Sequence, residues 1–170
     1  NILMNGSLIA LAVLFFAVQA FGANTLYQGR GDATFYYDIT GVGPCGPANG
    51  IRTPFPENQG YAMCEGRNPK PKKLIQYGTN NIVAIPNQLL RPNIKKFCGK
   101  RVIVSVNGKE RSDLKLVVWD GCEACNGNGG LDFSSTIFAK LFGQNRCAAG
   151  RIKGEITYKI VDEQVIPFRG

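Results

Sequence analysis

The chain contains no histidine. Because the nucleophile pairs of serine and cysteine hydrolases need an imidazole base, this absence excludes both. It also excludes catalytic zinc sites with His ligands and His-based general acid–base chemistry. Any catalysis would depend on carboxylates, Lys or Tyr, and the 170 residues include only 12 Asp and Glu.

The chain also lacks an apolar run long enough to cross a membrane, which needs about twenty residues. The longest run, from Leu8 to Val18, is followed by small residues, and no charged side chain precedes Arg30. This layout predicts a secretory signal peptide over residues 1–23, with a buried helix of the domain as the alternative. We expect a single domain over residues 24–170 and a secreted, extracellular protein without a membrane span.

Cysteine is well represented, and every copy follows the predicted leader. An even number of cysteines in a secreted chain predicts three disulfides, and six cysteines allow fifteen pairings. Two of the cysteines have the CxxC spacing of half a zinc knuckle, but no His or second CxxC completes such a site. We therefore expect disulfides, no metal and no cofactor. The cysteines are Cys45, Cys64, Cys98, Cys122, Cys125 and Cys147.

The chain is strongly basic, with a net charge of +8 and a pI near 9.3. Such a field favours anionic partners, and secretion favours polysaccharide over nucleic acid. The basic residues are either a solvated face or a specific anion-binding surface. They occur in short groups: Lys70, Lys72 and Lys73; Lys95, Lys96, Lys100 and Arg101; Lys109 and Arg111.

The pattern of apolar residues predicts a mostly β protein. Strand-prone runs cover residues 31–37, 81–85, 101–106, 114–119 and 152–161, and the Asn-Gly pair at 107–108 favours a hairpin turn. A helix is expected over residues 135–142 and a helical turn over residues 86–90. Proline-rich residues 51–81 predict a long ordered loop tied down by a disulfide. Strands with one helix between the last two favour a small closed barrel.

Two sequence blocks in the correct order resemble the expansin and family-45 endoglucanase-like domain. The first runs from Gly31 to Tyr36 and is followed by Pro-Cys-Gly at 44–46. The second is VVWDGCEAC at 117–125, followed by Leu-Asp-Phe-Ser at 131–134 and Ile-Phe at 137–138. The resemblance covers about residues 29–161 and is closest to single-domain fungal expansin-like and barwin-like proteins. It implies a disulfide-stapled, six-stranded double-psi β-barrel with one or two short helices and an open groove.

The resemblance also implies which residues line that groove. In expansin-like proteins a Thr and two Asp do so, and these match Thr34, Asp120 and Asp132 here, with Asp132 in the acid position. Asp38 matches the Thr-x-x-x-Asp spacing of family-45 endoglucanases but is equally a turn residue.

Strand alternation adds two expectations about the groove. It predicts that Asp120 ends its strand beside the groove and that Trp119 faces the opposite side. Sugar rings stack on aromatic faces, and Tyr36 and Tyr37 are the candidates for such a contact.

These features predict a monomer that binds and loosens cell-wall polysaccharide without hydrolysis, the polymer being cellulose, hemicellulose, chitin or peptidoglycan. The first alternative is a barwin-like binding or defence module, or a protease inhibitor, with residues 51–81 as the contact surface. The second is a hydrolytic or lytic enzyme, either a family-45-like endoglucanase or a lytic transglycosylase, because paired carboxyl groups suit glycoside cleavage.

Overall fold

A computed structural model describes residues 23–36, 38, 43–46 and 60–170 of the chain. Nearly all of the predicted signal peptide, one of the two candidate tyrosines (Tyr37) and residues 51–59 of the predicted loop lie outside the described residues.

Six strands close into a barrel, which confirms the predicted fold class. The barrel order is β3-β5-β2-β6-β1-β7, and β7 pairs with β3 to close it. The β1–β6 and β2–β5 pairs are parallel, and the other pairs around the barrel are antiparallel. The strands are β1 (Thr25–Phe35), β2 (Ile82–Pro86), β3 (Lys100–Val106), β4 (Lys109–Glu110), β5 (Leu116–Cys122), β6 (Leu131–Phe133) and β7 (Arg151–Gln164).

The short strand β4 extends the barrel through a hairpin. Asn107 and Gly108 both have positive φ, 50° and 77°, and Val106 pairs directly with Lys109. These angles are those of a two-residue hairpin turn, which an Asn-Gly pair adopts at low cost. The predicted turn is confirmed.

The core fills the barrel and extends beneath one side of it. Along β3, Val102 and Val104 are fully buried while their neighbours are partly exposed, as expected for a strand with one face inside. All five residues of β2 are buried. A strand that is covered on both faces has a continuous run of apolar residues, here IVAIP, rather than alternating apolar and polar residues.

Three short helices connect the strands: α1 (Asn87–Leu90), α2 (Ile94–Phe97) and α3 (Ser135–Phe142). The predicted α3 is confirmed, with the Ser134 hydroxyl accepting a hydrogen bond from the Ile137 N–H at 3.2 Å and Gly143 ending the helix. The predicted turn after Pro86 is α1, whereas α2 is too short to leave a periodic signal. Among the described residues no helix is long and apolar enough to span a membrane.

Two strands differ from their predicted extent. The prediction that Asp120 ends its strand is wrong, because β5 continues to Cys122 alongside β2, pairing with it as far as Pro86. Strand β1 begins at Thr25 rather than residue 31, since its first half pairs with the long β7. Strand β6 has only three residues, too few for a period-two pattern to reveal.

The six cysteines form three disulfides, as predicted. The pairs are Cys45–Cys147, Cys64–Cys98 and Cys122–Cys125. The CxxC sequence is therefore a closed disulfide rather than a pair of metal-binding thiolates. The Cys64–Cys98 bond ties the described part of the proline-rich segment, residues 60–81, to the end of α2.

Candidate functional site

Four strands place a row of four residues on one face of the sheet. Thr34 of β1 pairs with Asp132 of β6, Asp132 pairs with Ala84 of β2, and Ala84 pairs with Asp120 of β5. Directly paired residues present their side chains on the same face. We call Thr34, Asp132, Ala84 and Asp120 the acidic row. It brings together the three groove residues that the resemblance predicts and leaves only a methyl group between the two acids.

A β-bulge puts Asp120 into this row. The pairing between β2 and β5 runs from Val83–Val118 to Ala84–Asp120, so Trp119 is an extra residue. Without the bulge, Ala84 would pair with Trp119, and Asp120 would lie one position out of register. Bulges commonly redirect a side chain in this way. Trp119 itself is 2% exposed and packs edge-on against Tyr77, with ring centres 5.0 Å apart, so it is a core residue.

Asp132 has the properties of a proton donor near neutral pH. Its Oδ1 accepts a hydrogen bond from the Thr34 hydroxyl at 2.7 Å. Burial raises the pKa of Asp132 to about 6, and the nearby charge of Asp120 acts in the same direction. The Thr34 hydrogen bond and the charge of Arg151 oppose that rise. In mildly acid solution this carboxyl is therefore largely protonated and can donate a hydrogen bond.

Asp120 belongs to the acidic row and also anchors a loop. Its Oδ1 accepts hydrogen bonds from the backbone N–H groups of Met63 and Gly121, both at 2.8 Å. Burial raises the pKa of Asp120, while these two hydrogen bonds stabilise the ionised form and limit the rise. The 3₁₀ turn Met63–Glu65 is thus attached to the barrel at the edge of the acidic row.

The predicted Tyr36 lies beside the row. It packs against Ala84 and the Cys122–Cys125 disulfide, and its backbone N–H donates to the Phe133 carbonyl at 3.0 Å. Tyr36 is two positions further along the chain than Thr34, so both side chains face the same way. A partly exposed ring next to two acids is a typical element of a sugar-binding surface.

Asp38 lies apart from the acidic row, at the start of α3. Its side chain is 1% exposed and accepts hydrogen bonds from the Ser135 hydroxyl at 3.1 Å and from the Thr136 N–H and hydroxyl at 2.9 and 2.8 Å. A carboxylate at a helix N-terminus satisfies free N–H groups and complements the helix dipole. These contacts join the segment after β1 to the start of α3.

Three further residues border the row without having been predicted. Arg151 of β7 pairs with Thr34, and Met63 contacts Asp120 through its backbone. Asn87 lies against Gly121, where an added Cβ would be 2.0 Å from the Asn87 Oδ1. The sequence carries no signal for these positions, because each depends on strand register or on how the loop folds over β5.

The fold and site define a disulfide-stapled double-psi β-barrel with an acidic row on one face. This architecture matches the expansin-like barrel that the sequence resemblance predicts. No protein-family model and no curated protein matches the chain.

Several solved structures are similar to it. A Streptomyces papain inhibitor shares 26% identity over 82% of this chain and 99% of its own, with a TM-score of 0.46. The apo expansin of Clavibacter michiganensis shares 20% identity over 81% of this chain and 52% of its own, with a TM-score of 0.42. A mutant of that expansin in complex with cellohexaose shares 20% identity over 83% of this chain and 54% of its own, with a TM-score of 0.43. The chain thus spans about half the length of the expansins. All three TM-scores are below 0.5, so the function is inferred from the residues of the site.

Proposed function

We propose that this protein binds cell-wall polysaccharide along the acidic row and loosens it without hydrolysis. The observation that carries the proposal is the Thr34–Asp132 hydrogen bond beside Tyr36, with the pKa of Asp132 raised to about 6. A protonated Asp132 donates to a sugar oxygen, and the Tyr36 ring offers an apolar surface for a sugar ring. Contacts of this kind compete with the hydrogen bonds that hold neighbouring polymer chains together.

The state of the carboxyl groups supports a non-hydrolytic action. Glycoside hydrolysis by the usual route needs a protonated acid and a second, free carboxylate across the scissile bond. The Oδ1 of Asp120 is held by two backbone N–H groups, and Asp38 is engaged at the start of α3. The carboxylate that the acidic row offers beside Asp132 is therefore already engaged, through one oxygen, in holding the Met63 loop.

The proposal includes secretion. Three disulfides are typical of proteins in oxidising compartments, and a small residue at position 20, 22 or 23 would suit cleavage of the leader. We propose that residues 1–23 are removed and that residues 24–170 act as a single-domain monomer outside the cell.

The test combines binding, sugar release and mechanics. The secreted protein is incubated with insoluble cellulose, xylan, chitin and peptidoglycan; bound protein and released reducing sugar are measured in the same tubes, and creep is measured on wall strips under load. We expect binding and creep without sugar release. Asp132→Asn should abolish creep while the protein stays folded, and Asp113→Asn, which changes the same charge on an exposed turn, should not.

Two results would contradict this proposal. Sugar release that is lost in Asp132→Asn would show a hydrolase or a lytic transglycosylase. Failure to bind all four polymers would remove the groove function altogether.

A second candidate function is a binding or inhibitor module that uses the segment 60–77. In the described part of the chain the large apolar side chains that are exposed are Tyr61 and Ile75, at 58% and 43%, and both lie on this segment. The Cys64–Cys98 disulfide holds the segment rigid, which suits a contact surface for a protein. Inhibition of secreted proteases that is lost in a Tyr61→Ala, Ile75→Ala double variant would favour this function.

A further inference from the structure

A second surface, separate from the acidic row, carries strong positive charge. No acidic residue occurs between Glu65 and Glu110, although basic residues are frequent there. The structure gathers cations from two parts of this stretch and from the C-terminal segment. We call this set the cationic surface: Arg67, Lys70, Lys72, Lys95, Lys96 and Arg169.

The cationic surface consists of two adjoining depressions. Arg67, Lys95 and Lys96 line one of about 230 Å³, together with Arg91, whose guanidinium lies 3.9 Å from the Glu123 carboxylate. Lys70, Lys72 and Arg169 line the other, of about 240 Å³. The two meet at the C-terminal segment, because a Cβ added at Gly170 would lie 3.2 Å from the Cβ of Arg67. The Cys64–Cys98 disulfide joins the two chain segments beneath them.

Many of the cations on the barrel have acidic partners. Six ion pairs lie on the strands, turns and helix ends around the barrel: Lys100–Asp162, Arg101–Glu163, Arg111–Asp113, Arg146–Glu155, Arg151–Asp32 and Lys159–Glu110. Within the described part of the chain, no residue of the cationic surface forms a salt bridge.

A buried acid, Glu65, lines the same depression as Lys70 and Lys72. Glu65 is 2% exposed and accepts hydrogen bonds from the Asn68 amide, the Lys72 backbone N–H and the Tyr77 hydroxyl. These donors stabilise its charge. Six cations that form no ion pair among the described residues thus line two adjoining depressions, and together they would attract a chain of negative charges.

We propose that the cationic surface binds an acidic polysaccharide, a chain whose sugar rings carry carboxylate or sulfate groups. Each depression is lined by three of these cations, so a polymer with an anionic group on each ring would meet positive charge in both. The site is separate from the acidic row and does not depend on its function.

The residues around the two depressions disfavour the binding of nucleic acid or of an anionic membrane surface. Single-stranded nucleic acid binds by stacking successive bases on several exposed aromatic rings. Of the two rings that line these depressions, Tyr77 is partly exposed and Trp119 is 2% exposed. Duplexes are read by a helix or ribbon in a groove, and α2 has only four residues. Membrane surfaces bind amphipathic helices with a large apolar face, whereas neither depression is lined by Tyr61 or Ile75, the exposed large hydrophobic residues among those described.

The test measures the dissociation constant and its salt dependence for polygalacturonate, dextran sulfate and neutral dextran. The polygalacturonate and dextran sulfate arms distinguish carboxylate from sulfate recognition. The surface variant is Lys70→Gln, Lys95→Gln, Arg169→Gln. The matched control is Lys115→Gln, Lys140→Gln, Lys153→Gln, which removes the same charge from exposed positions elsewhere.

We expect the surface variant to lose affinity for at least one acidic polymer by roughly tenfold and to show a shallower salt dependence, because it releases fewer counterions on binding. The control should lose less than about threefold. Equal losses in the surface variant and the control would overturn the proposal in favour of diffuse attraction. Tighter, surface-dependent binding to DNA or to anionic lipid vesicles would overturn the choice of polysaccharide.

Discussion

At the scale of single residues, the side chain between the two acids is what allows them to share one face. Ala84 pairs with both Asp120 and Asp132, so each acid lies one strand away from it. Ala84 is itself 2% exposed and packs against Tyr36 and the Cys122–Cys125 disulfide, so a larger side chain there would displace these contacts and separate the carboxyl groups. Burial and the like charge of Asp120 then favour the protonated form of Asp132.

The raised pKa of Asp132 has a consequence for stability. The folded state holds this proton more tightly than the unfolded chain, so the contribution is complete below about pH 4 and is lost as the pH rises through about 6. Asp132→Asn removes the buried charge and keeps an oxygen for the Thr34 hydrogen bond. At about pH 7.5 this variant should be more stable than the native chain by about 1–2 kcal/mol, since some solvent still reaches the carboxyl. The gain should vanish near pH 4.

Asp113→Asn is a control for which the pH dependence of the stability change should have the opposite sign. The hydrogen bond from Arg111 lowers the pKa of Asp113, so its contribution is present above the ordinary pKa of an Asp and is lost as the pH falls. Asp113→Asn should therefore be slightly less stable near neutral pH, with the difference shrinking in acid. Urea unfolding across the pH range checks both variants. A pH-independent gain in Asp132→Asn would contradict the assigned titration.

At the scale of elements, the close approach of β1 to the loop before β6 determines which residues fit. A Cβ at Gly31 would lie 2.3–2.6 Å from the Asn128 carbonyl oxygen, the Gly129 carbonyl carbon and the Gly130 nitrogen. These are backbone atoms, which cannot rotate away as the end of a side chain can. This contact brings the loop and β6 against β1, and Thr34 pairs with Asp132 three residues further along β1.

Gly31→Ala should therefore cost about 2 kcal/mol of unfolding free energy, as overpacking of a fixed contact does. Gly60→Ala is the matched control, because a Cβ there would meet no atom within 4 Å. We expect that control to stay within about 0.5 kcal/mol of the native chain. Chemical denaturation of both variants checks the prediction, and similar losses in the two would refute the proposed contact.

At the scale of the whole molecule, the three disulfides differ in how much chain they constrain. Cys45–Cys147 joins residues 102 positions apart, Cys64–Cys98 joins residues 34 apart, and Cys122–Cys125 closes a separation of 3. A crosslink lowers the entropy of the unfolded chain more when the loop it closes is longer. The longest also ties the segment after β1 to the turn before β7.

Replacing Cys45 and Cys147 with Ser should cost about 4 kcal/mol, whereas replacing Cys122 and Cys125 should cost about 2 kcal/mol. Thermal and denaturant unfolding of the two double variants, each with its other disulfides intact, measures the difference. An equal or reversed order would show that native packing around the Cys122–Cys125 disulfide outweighs chain entropy.

The sequence alone determined the chemical limits, the mostly β character and much of the site. The absence of histidine excluded whole classes of catalyst. The Asn-Gly pair predicted the hairpin turn, and Ser134 and Gly143 predicted the two ends of α3. Each of these signals depends on local composition or backbone preference. The likeness of two motif blocks also predicted that Thr34, Asp120 and Asp132 lie together, and strand pairing places them on one face.

Only the tertiary structure decided how these parts meet. The bulge at Trp119 aligned Asp120 with Asp132, and strand pairing placed Ala84 between them. The tertiary structure also determined the disulfide pairing and which cations form ion pairs with acids. Register, pairing and charge balance all arise from contacts between residues far apart in the chain, so no local pattern encodes them.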